Sequence, residues 1–164
     1  MIRTVSAVAA AALFVSATAA NARCTSPTDE TTFQLQGLKA ELQVLTLSCK
    51  MDDRYNSFVR KFQSRLGQDE RDFKDYFRRT FGGSAQREQD AYVTLLANAH
   101  AEVSIQQGSD YCQRTGMVFD ELSAIPDETM LTSYVAGKDV VPVTAEACPG
   151  RAAPAAPTRR TARK

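Results

Sequence analysis

Residues 33–49 read FQLQGLKAELQVLTLSC, and the spacing of their leucines decides the fold class. The leucines follow one another at alternating steps of three and four residues, and Cys49 continues the series: Leu35, Leu38, Leu42, Leu45. This spacing predicts an α-helix of about six turns with one apolar face. Ser26 and Pro27 suit the N-cap and the first position of that helix. Gly37 predicts a close packing contact, because glycine inside a helix costs about 1 kcal/mol relative to alanine.

Further amphipathic stretches follow this helix, each bounded by a glycine or a capping residue. Asp52–Asp53 can cap a second helix that Gly67 stops, and a short third helix ends at Gly82–Gly83. Ser84 can cap the longest stretch. Within that stretch, Gly108 is either a break between two helices or a packing point inside one long helix.

The sequence of the last part of the domain predicts one more helix, followed by an extended arm. Pro126 can open a short helix that Gly137 closes, and residues 140–148 lack a helical period, which indicates an extended segment. No stretch alternates apolar and polar residues for long enough to predict a sheet. The predicted fold is therefore all-α: a small disulfide-stapled helical bundle of about five to six helices with an extended C-terminal arm.

The chain divides into three parts by composition. Residues 1–22 have the pattern of a signal peptide, with an apolar run over residues 5–15 and an Ala-Asn-Ala cleavage motif at residues 20–22. Residues 23–150 suffice for a single helical domain, since a chain of about 150 residues buries roughly 70% of its extended surface. Residues 151–164 form a low-complexity Ala/Pro/Arg tail, too poor in apolar residues to fold and predicted to be disordered.

The signal peptide predicts a secreted protein, and the periplasm is the expected compartment. After cleavage no transmembrane segment is expected, because the apolar run is shorter than the about 20 residues that span a bilayer. Export delivers four cysteines to an oxidising space, so two disulfides are expected among them: Cys24, Cys49, Cys112 and Cys148. A lipid anchor on Cys24 is not expected, because Arg23 stands where lipoprotein processing requires a small residue.

The geometry of the first helix limits how the cysteines pair. Cys24 and Cys49 lie near its opposite ends, roughly 35 Å apart, whereas a disulfide spans about 6 Å between α-carbons. If successive helices alternate in direction, the long fourth helix returns towards the start of the first. This arrangement slightly favours the pairs Cys24–Cys112 and Cys49–Cys148. The pairs Cys24–Cys148 and Cys49–Cys112 remain open as the alternative.

Charge is distributed unevenly between the domain and the tail. Residues 23–150 carry 14 basic and 19 acidic side chains, a formal charge of −5. The tail carries five cations and no acid: Arg151, Arg159, Arg160, Arg163 and Lys164. Such a segment suits an anionic envelope surface, either lipid head groups or polysaccharide phosphates. A solubilising terminus without a binding role is the alternative.

No pattern in the sequence predicts a catalytic, cofactor-binding or metal site. Zinc and haem are not expected, since no cysteine pair has ligand spacing and His100 is the only histidine. As a general base His100 lacks a carboxylate four residues away to orient it. Helix capping and the helix dipole explain Asp52–Asp53 better than glycosidase chemistry does. Residues 72–81, DFKDYFRRTF, place their aromatics on one buried helical face, so nucleic-acid binding is not expected.

Two hypotheses about function follow. The first is a non-enzymatic, secreted helical module that acts by binding a protein or an envelope surface and needs no cofactor. The second is a small hydrolase whose catalytic residues come from separate helices and therefore leave no local motif. A pocket that holds His100 with a carboxylate at hydrogen-bond distance would favour the hydrolase.

Overall fold

The computed structural model describes residues 26–142, Ala145 and Cys148. These residues contain α-helices and no strand, which confirms the predicted all-α class. The helical segments are α1 (Pro27–Cys49), α2 (Asp52–Lys61), α3 (Gln63–Phe81), α4 (Ala85–Gln107), α5 (Tyr111–Thr115), α6 (Val118–Ala124) and α7 (Glu128–Gly137). Single 3₁₀ turns precede α4 and α5, at Gly82–Ser84 and Gly108–Asp110.

Some of the predicted segments lie outside the described residues. They include the signal peptide, residues 1–22, the tail, residues 151–164, and Cys24.

Helix α1 begins and packs as its sequence predicts. The Ser26 hydroxyl accepts a hydrogen bond of 3.1 Å from the Asp29 backbone N–H, and Pro27 occupies the first helical position. The four leucines of its apolar face have no exposed surface: Leu35, Leu38, Leu42 and Leu45. A Cβ at Gly37 would stand 2.6 Å from the Val140 carbonyl oxygen, so this glycine allows the C-terminal arm to lie against α1.

The predicted boundary between the second and third helices is wrong. Helix α3 runs through Gly67, and α2 and α3 meet instead at Phe62. Backbone hydrogen bonds continue across this junction, from Phe62 N–H to Phe58 O at 3.1 Å and from Leu66 N–H to Phe62 O at 2.9 Å. The Phe62 ring packs into the core beside Phe58, 5.5 Å between centroids. Residues 52–81 are therefore one bent helical rod, the α2–α3 rod.

Treating α2–α3 as one rod changes the helix count. Among the described residues the bundle has four principal helices, namely α1, the α2–α3 rod, α4 and α7, with short α5 and α6 leading to α7. The prediction of about five to six helices is therefore wrong. Gly67 does not stop the helix, because the buried face and the exposed face of α3 both continue beyond it.

Contacts along α1 give the direction of its neighbours. Helix α3 is antiparallel to α1, because Asp29 at the start of α1 pairs with Arg79 at the end of α3, 2.9 Å between Oδ1 and Nη2. Helix α4 is parallel to α1. The Phe33 and Tyr92 rings lie 5.0 Å apart near the helix starts, and contacts between the two helices continue to their C-terminal ends.

The direction of α4 determines which cysteine pairs with Cys49. Cys49 ends α1, Cys112 lies just beyond α4, and the two are bonded with α-carbons 5.6 Å apart. The slightly favoured pairs, Cys24–Cys112 and Cys49–Cys148, are therefore wrong. Counting one helix too many reversed the expected direction of α4. Cys148 is also disulfide-bonded.

Glycines end two helices. Gly82 has φ +53° and follows the last residue of α3, as predicted, and Gly108 has φ +55° and breaks the longest stretch after α4. Both residues have a positive φ, which glycine adopts without the steric cost that a Cβ would impose. Ser84 occupies the predicted N-cap position of α4, but its hydroxyl donates to the Phe81 carbonyl at 3.1 Å and makes no hydrogen bond to the first turn. The predicted Asp52–Asp53 cap is wrong, because both residues lie in the first turn of α2, after an N-cap with no side-chain bond.

A cluster of aromatic rings fills one end of the bundle, where α1 begins, α3 ends and α4 begins. Phe33 lies at its centre, within 6.2 Å of four other ring centroids: Phe73, Tyr76, Phe77 and Tyr92. We call this region the aromatic end. Phe81, Ala85 and the buried Cys148 pack with the same cluster. The arm that follows α7 therefore returns to the aromatic end.

Candidate functional site

His100 lies in a setting that does not match a general base. Its ring is buried between α1 and the arm, where burial lowers its pKa and the backbone carbonyls of Val140 and Gly37 act in the opposite direction. Its Nε2 has no hydrogen-bond partner among the described residues, and no carboxylate there bonds to the ring. The arrangement that would favour the hydrolase at His100 is thus missing from this part of the chain.

The aromatic and charged residues of 72–81 separate onto two faces of α3, as the helical spacing predicts. Phe73, Tyr76 and Phe77 are buried in the aromatic cluster. Arg78 and Arg79 are exposed. The charged face of α3 is therefore the part of this stretch that is available to a partner.

A surface groove of about 670 Å³ lies between α3 and the start of α4, and its cations are all on α3. Arg71, Lys74 and Arg78 stand at steps of three and four residues, which places them on one side of α3. The remaining lining residues are Asp75, Gly82, Gly83, Ala85, Gln86 and Gln89. We call this feature the basic groove.

Among the residues that the structure describes, the groove cations pair only with neighbours on their own helix. Arg71 donates to Gln68 Oε1 at 2.7 Å, and Lys74 lies 3.4 Å from a Glu70 carboxylate oxygen. Arg78 pairs with Asp75. Exposed pairs of this kind contribute about 0–1 kcal/mol, so an anion can compete with them.

The basic groove lies at the end of the bundle to which the C-terminal arm returns. Ala85 both lines the groove and packs with the aromatic cluster that contains Cys148. The predicted cationic tail begins at Arg151, three residues after Cys148 in the sequence. The tail cations themselves lie outside the described residues: Arg151, Arg159, Arg160, Arg163 and Lys164.

A second polar pocket, of about 310 Å³, collects side chains from separate helices. Tyr134 donates its hydroxyl to Glu121 Oε2 at 2.5 Å, which lowers the pKa of Glu121. Burial raises the pKa of Glu41, whose Oε2 has no hydrogen-bond partner among the described residues. Two carboxyls of one pocket thus have pKa values shifted in opposite directions.

Asp69 is an ionisable group that sequence reasoning missed. It is fully buried against α1, where Gln36 Nε2 donates to its Oδ2 at 2.8 Å, and burial raises its pKa to about 7. Its position four residues before Phe73 and seven before Tyr76 indicated the buried face of α3.

Within the described residues, no group of histidine, cysteine and carboxylate side chains could hold a metal ion. None of the helices described there is long and apolar enough to cross a membrane. No protein-family model matches the chain, nor does any curated protein or solved structure. Fold and site together define a small disulfide-bonded helical bundle with a basic groove at its aromatic end.

Proposed function

We propose that the protein is a secreted, periplasmic, non-enzymatic module that binds an anionic surface of the cell envelope. The observation that carries this proposal is the position of Cys148, which brings the C-terminal arm to the same end as the basic groove. The cationic tail begins three residues after Cys148 in the sequence, so we propose that groove and tail act on the same surface. Each cation held near an anionic membrane contributes about 1 kcal/mol, so these cations suffice for measurable binding.

In this proposal the aromatic end, which holds the basic groove, faces the anionic surface.

Sedimentation with vesicles tests the proposal. The mature protein should bind vesicles that contain phosphatidylglycerol, and binding should fall with added salt and be absent on neutral phosphatidylcholine. Deleting residues 151–164, or replacing the groove cations by glutamine, should each weaken binding. A matched triple replacement in the other half of the bundle should leave it unchanged: Lys50→Gln, Arg60→Gln and Arg114→Gln. Equal binding by all four proteins at low salt would refute the proposal.

The second pocket favours one alternative, a hydrolase with residues from separate helices. Glu41 comes from α1 and Glu121 from α6, and glycoside hydrolysis uses two carboxyls whose pKa values are shifted in opposite directions. Incubation with purified peptidoglycan, followed by an assay for new reducing ends, tests this activity. Release that Glu121→Gln abolishes would support the hydrolase, and no release would exclude this substrate.

A further inference from the structure

The second polar pocket is lined by two residues whose buried acceptor atoms have no partner. Glu41 reaches it from α1, and Gln107 from the last position of α4. Glu41 Oε2 and Gln107 Oε1 are both buried without a hydrogen-bond partner among the described residues. The last side-chain torsion of Glu and Gln is soft, so these oxygens can turn towards a molecule in the pocket. The pocket therefore suits a ligand that donates hydrogen bonds.

The two acids of this pocket differ in how their charge is balanced. Glu121 accepts the Tyr134 hydroxyl and lies 3.4 Å from the Lys138 ammonium group. Glu41 forms no ion pair with a described residue, and although Lys138 lowers its pKa from a distance, burial raises it more. A carboxylate that loses its hydration without gaining a donor is destabilised. A positively charged donor in the pocket would offset this cost most effectively.

One cation of the pocket is available to bind an anion. Arg114, on α5, lines the pocket, is exposed and forms no ion pair with any residue that the structure describes. Lys138, in contrast, is held by the Tyr134 hydroxyl at 2.7 Å and by Glu121. A guanidinium group binds a carboxylate through two parallel hydrogen bonds. The pocket thus offers acceptors from α1 and α4 and a free cation from α5.

We propose that this pocket binds an α-amino acid, either free or as the end of a larger molecule. The ammonium group donates to Glu41 and Gln107, and the carboxylate pairs with Arg114. A volume of about 310 Å³ lies at the lower end of the range for ligand pockets, roughly 300–1,000 Å³, which suits a ligand of this size. The inference goes beyond the proposed function, because this pocket and the basic groove share no lining residue.

Titration of the full mature chain, followed by NMR at constant ionic strength, tests the site. The probes are valine, isobutylamine, which lacks the carboxylate, and 3-methylbutanoate, which lacks the ammonium group. We expect saturable binding of valine and binding at least about tenfold weaker for each analogue, since each loses a charge-assisted contact. Equal binding of valine and either analogue would overturn the proposal.

Two variants assign each end of the ligand to its partner. Glu41→Gln should weaken valine binding about tenfold without weakening that of 3-methylbutanoate, which has no ammonium group to lose. Arg114→Gln should weaken valine binding without weakening that of isobutylamine. Because Arg114 is exposed, this variant keeps the test open if Glu41→Gln fails to fold. Glu102→Gln, at an exposed position of α4, is the matched control and should bind valine as the parent protein does.

One further probe distinguishes the two sources of the ligand. γ-Glutamylglycine carries the same ammonium and carboxylate groups at the end of a longer molecule. Binding as tight as that of valine identifies a pocket that accepts the end of a larger molecule. Much weaker binding identifies a site for a free amino acid.

The remaining outcomes separate this inference from the other proposals. Failure of valine to bind overturns the amino-acid site and leaves vesicle binding untouched. Loss of vesicle binding in the parent protein overturns the proposed function, while saturable valine binding still supports the amino-acid site. Peptidoglycan cleavage that saturating valine leaves unchanged would assign the pocket to the hydrolase and overturn the amino-acid site.

Discussion

Replacing Asp69 by asparagine should stabilise the protein at neutral pH and remove much of the pH dependence of its stability. Burial is the largest influence on this carboxyl and raises its pKa from 3.8 to about 7, against the opposing effects of Lys39, Arg65 and Gln36. Between these values the folded protein holds a proton on Asp69 that the unfolded chain has released. Raising the pH through this interval therefore favours unfolding.

The size of the effect follows from the width of that interval. Each pH unit contributes about 1.4 kcal/mol, so the free energy of unfolding should fall by roughly 4 kcal/mol between pH 3.8 and about 7. Above that range the contribution stays constant, because Asp69 is then ionised in both states. Asparagine is neutral throughout, and its carbonyl oxygen can still accept the hydrogen bond from Gln36.

Urea denaturation followed by circular dichroism, repeated across this pH range, measures the effect. The difference in unfolding free energy between Asp69→Asn and the parent protein should be small in acid and rise steadily towards neutral pH. Asp72→Asn is the matched control, because Asp72 also accepts a glutamine amide, from Gln68 at 2.8 Å, in an exposed position. Parallel curves for the parent protein and Asp69→Asn would refute the assignment of a protonated, buried Asp69.

Three further predictions concern packing and chain ends. Replacing Cys49 and Cys112 by alanine should reduce the unfolding free energy by about 4 kcal/mol in urea denaturation, since the bond closes a loop with a sequence separation of 63. Gly37→Ala should lower the melting temperature, because the new Cβ would stand 2.6 Å from the Val140 carbonyl oxygen, and this clash outweighs the helix preference of alanine. An unchanged melting temperature would contradict that contact. Deleting residues 151–164 should leave the melting temperature unchanged, because this segment has too little apolar surface to offset its ordering entropy, and a shift of several degrees would show that the tail packs.

Features fixed by neighbouring residues could be predicted from the sequence. The start of α1 depends on Ser26 and Pro27, and its buried face depends on the leucine spacing. The structure confirms both predictions. The end of α3 at Gly82 also follows from a local preference, that of glycine for positive φ.

Features fixed by contacts between distant residues could not be predicted. Gly67 resembles a helix stop, yet packing of the Phe62 ring places the bend five residues earlier. That single boundary changed the number of principal helices and so the direction of α4. The disulfide pairing depends on this direction, which explains why one local error led to the wrong partner for Cys49.

The candidate site shows the same division. Spacing along α3 could place its cations on one outer face, but the pairing of that face with the start of α4 depends on the tertiary fold. The proximity of the arm to the groove depends on where Cys148 packs.

The most direct test of the central claim is to determine which end of the bundle faces an anionic surface. Vesicles of phosphatidylglycerol that carry spin-labelled head groups broaden the NMR signals of nearby amides. We expect broadening of the end of α3 and the start of α4, residues 78–89, and sharp signals at the opposite end of the bundle, at the start of α2 and at residues 108–112. Broadening at the start of α2 and at residues 108–112, or equal broadening of all helices, would contradict the account.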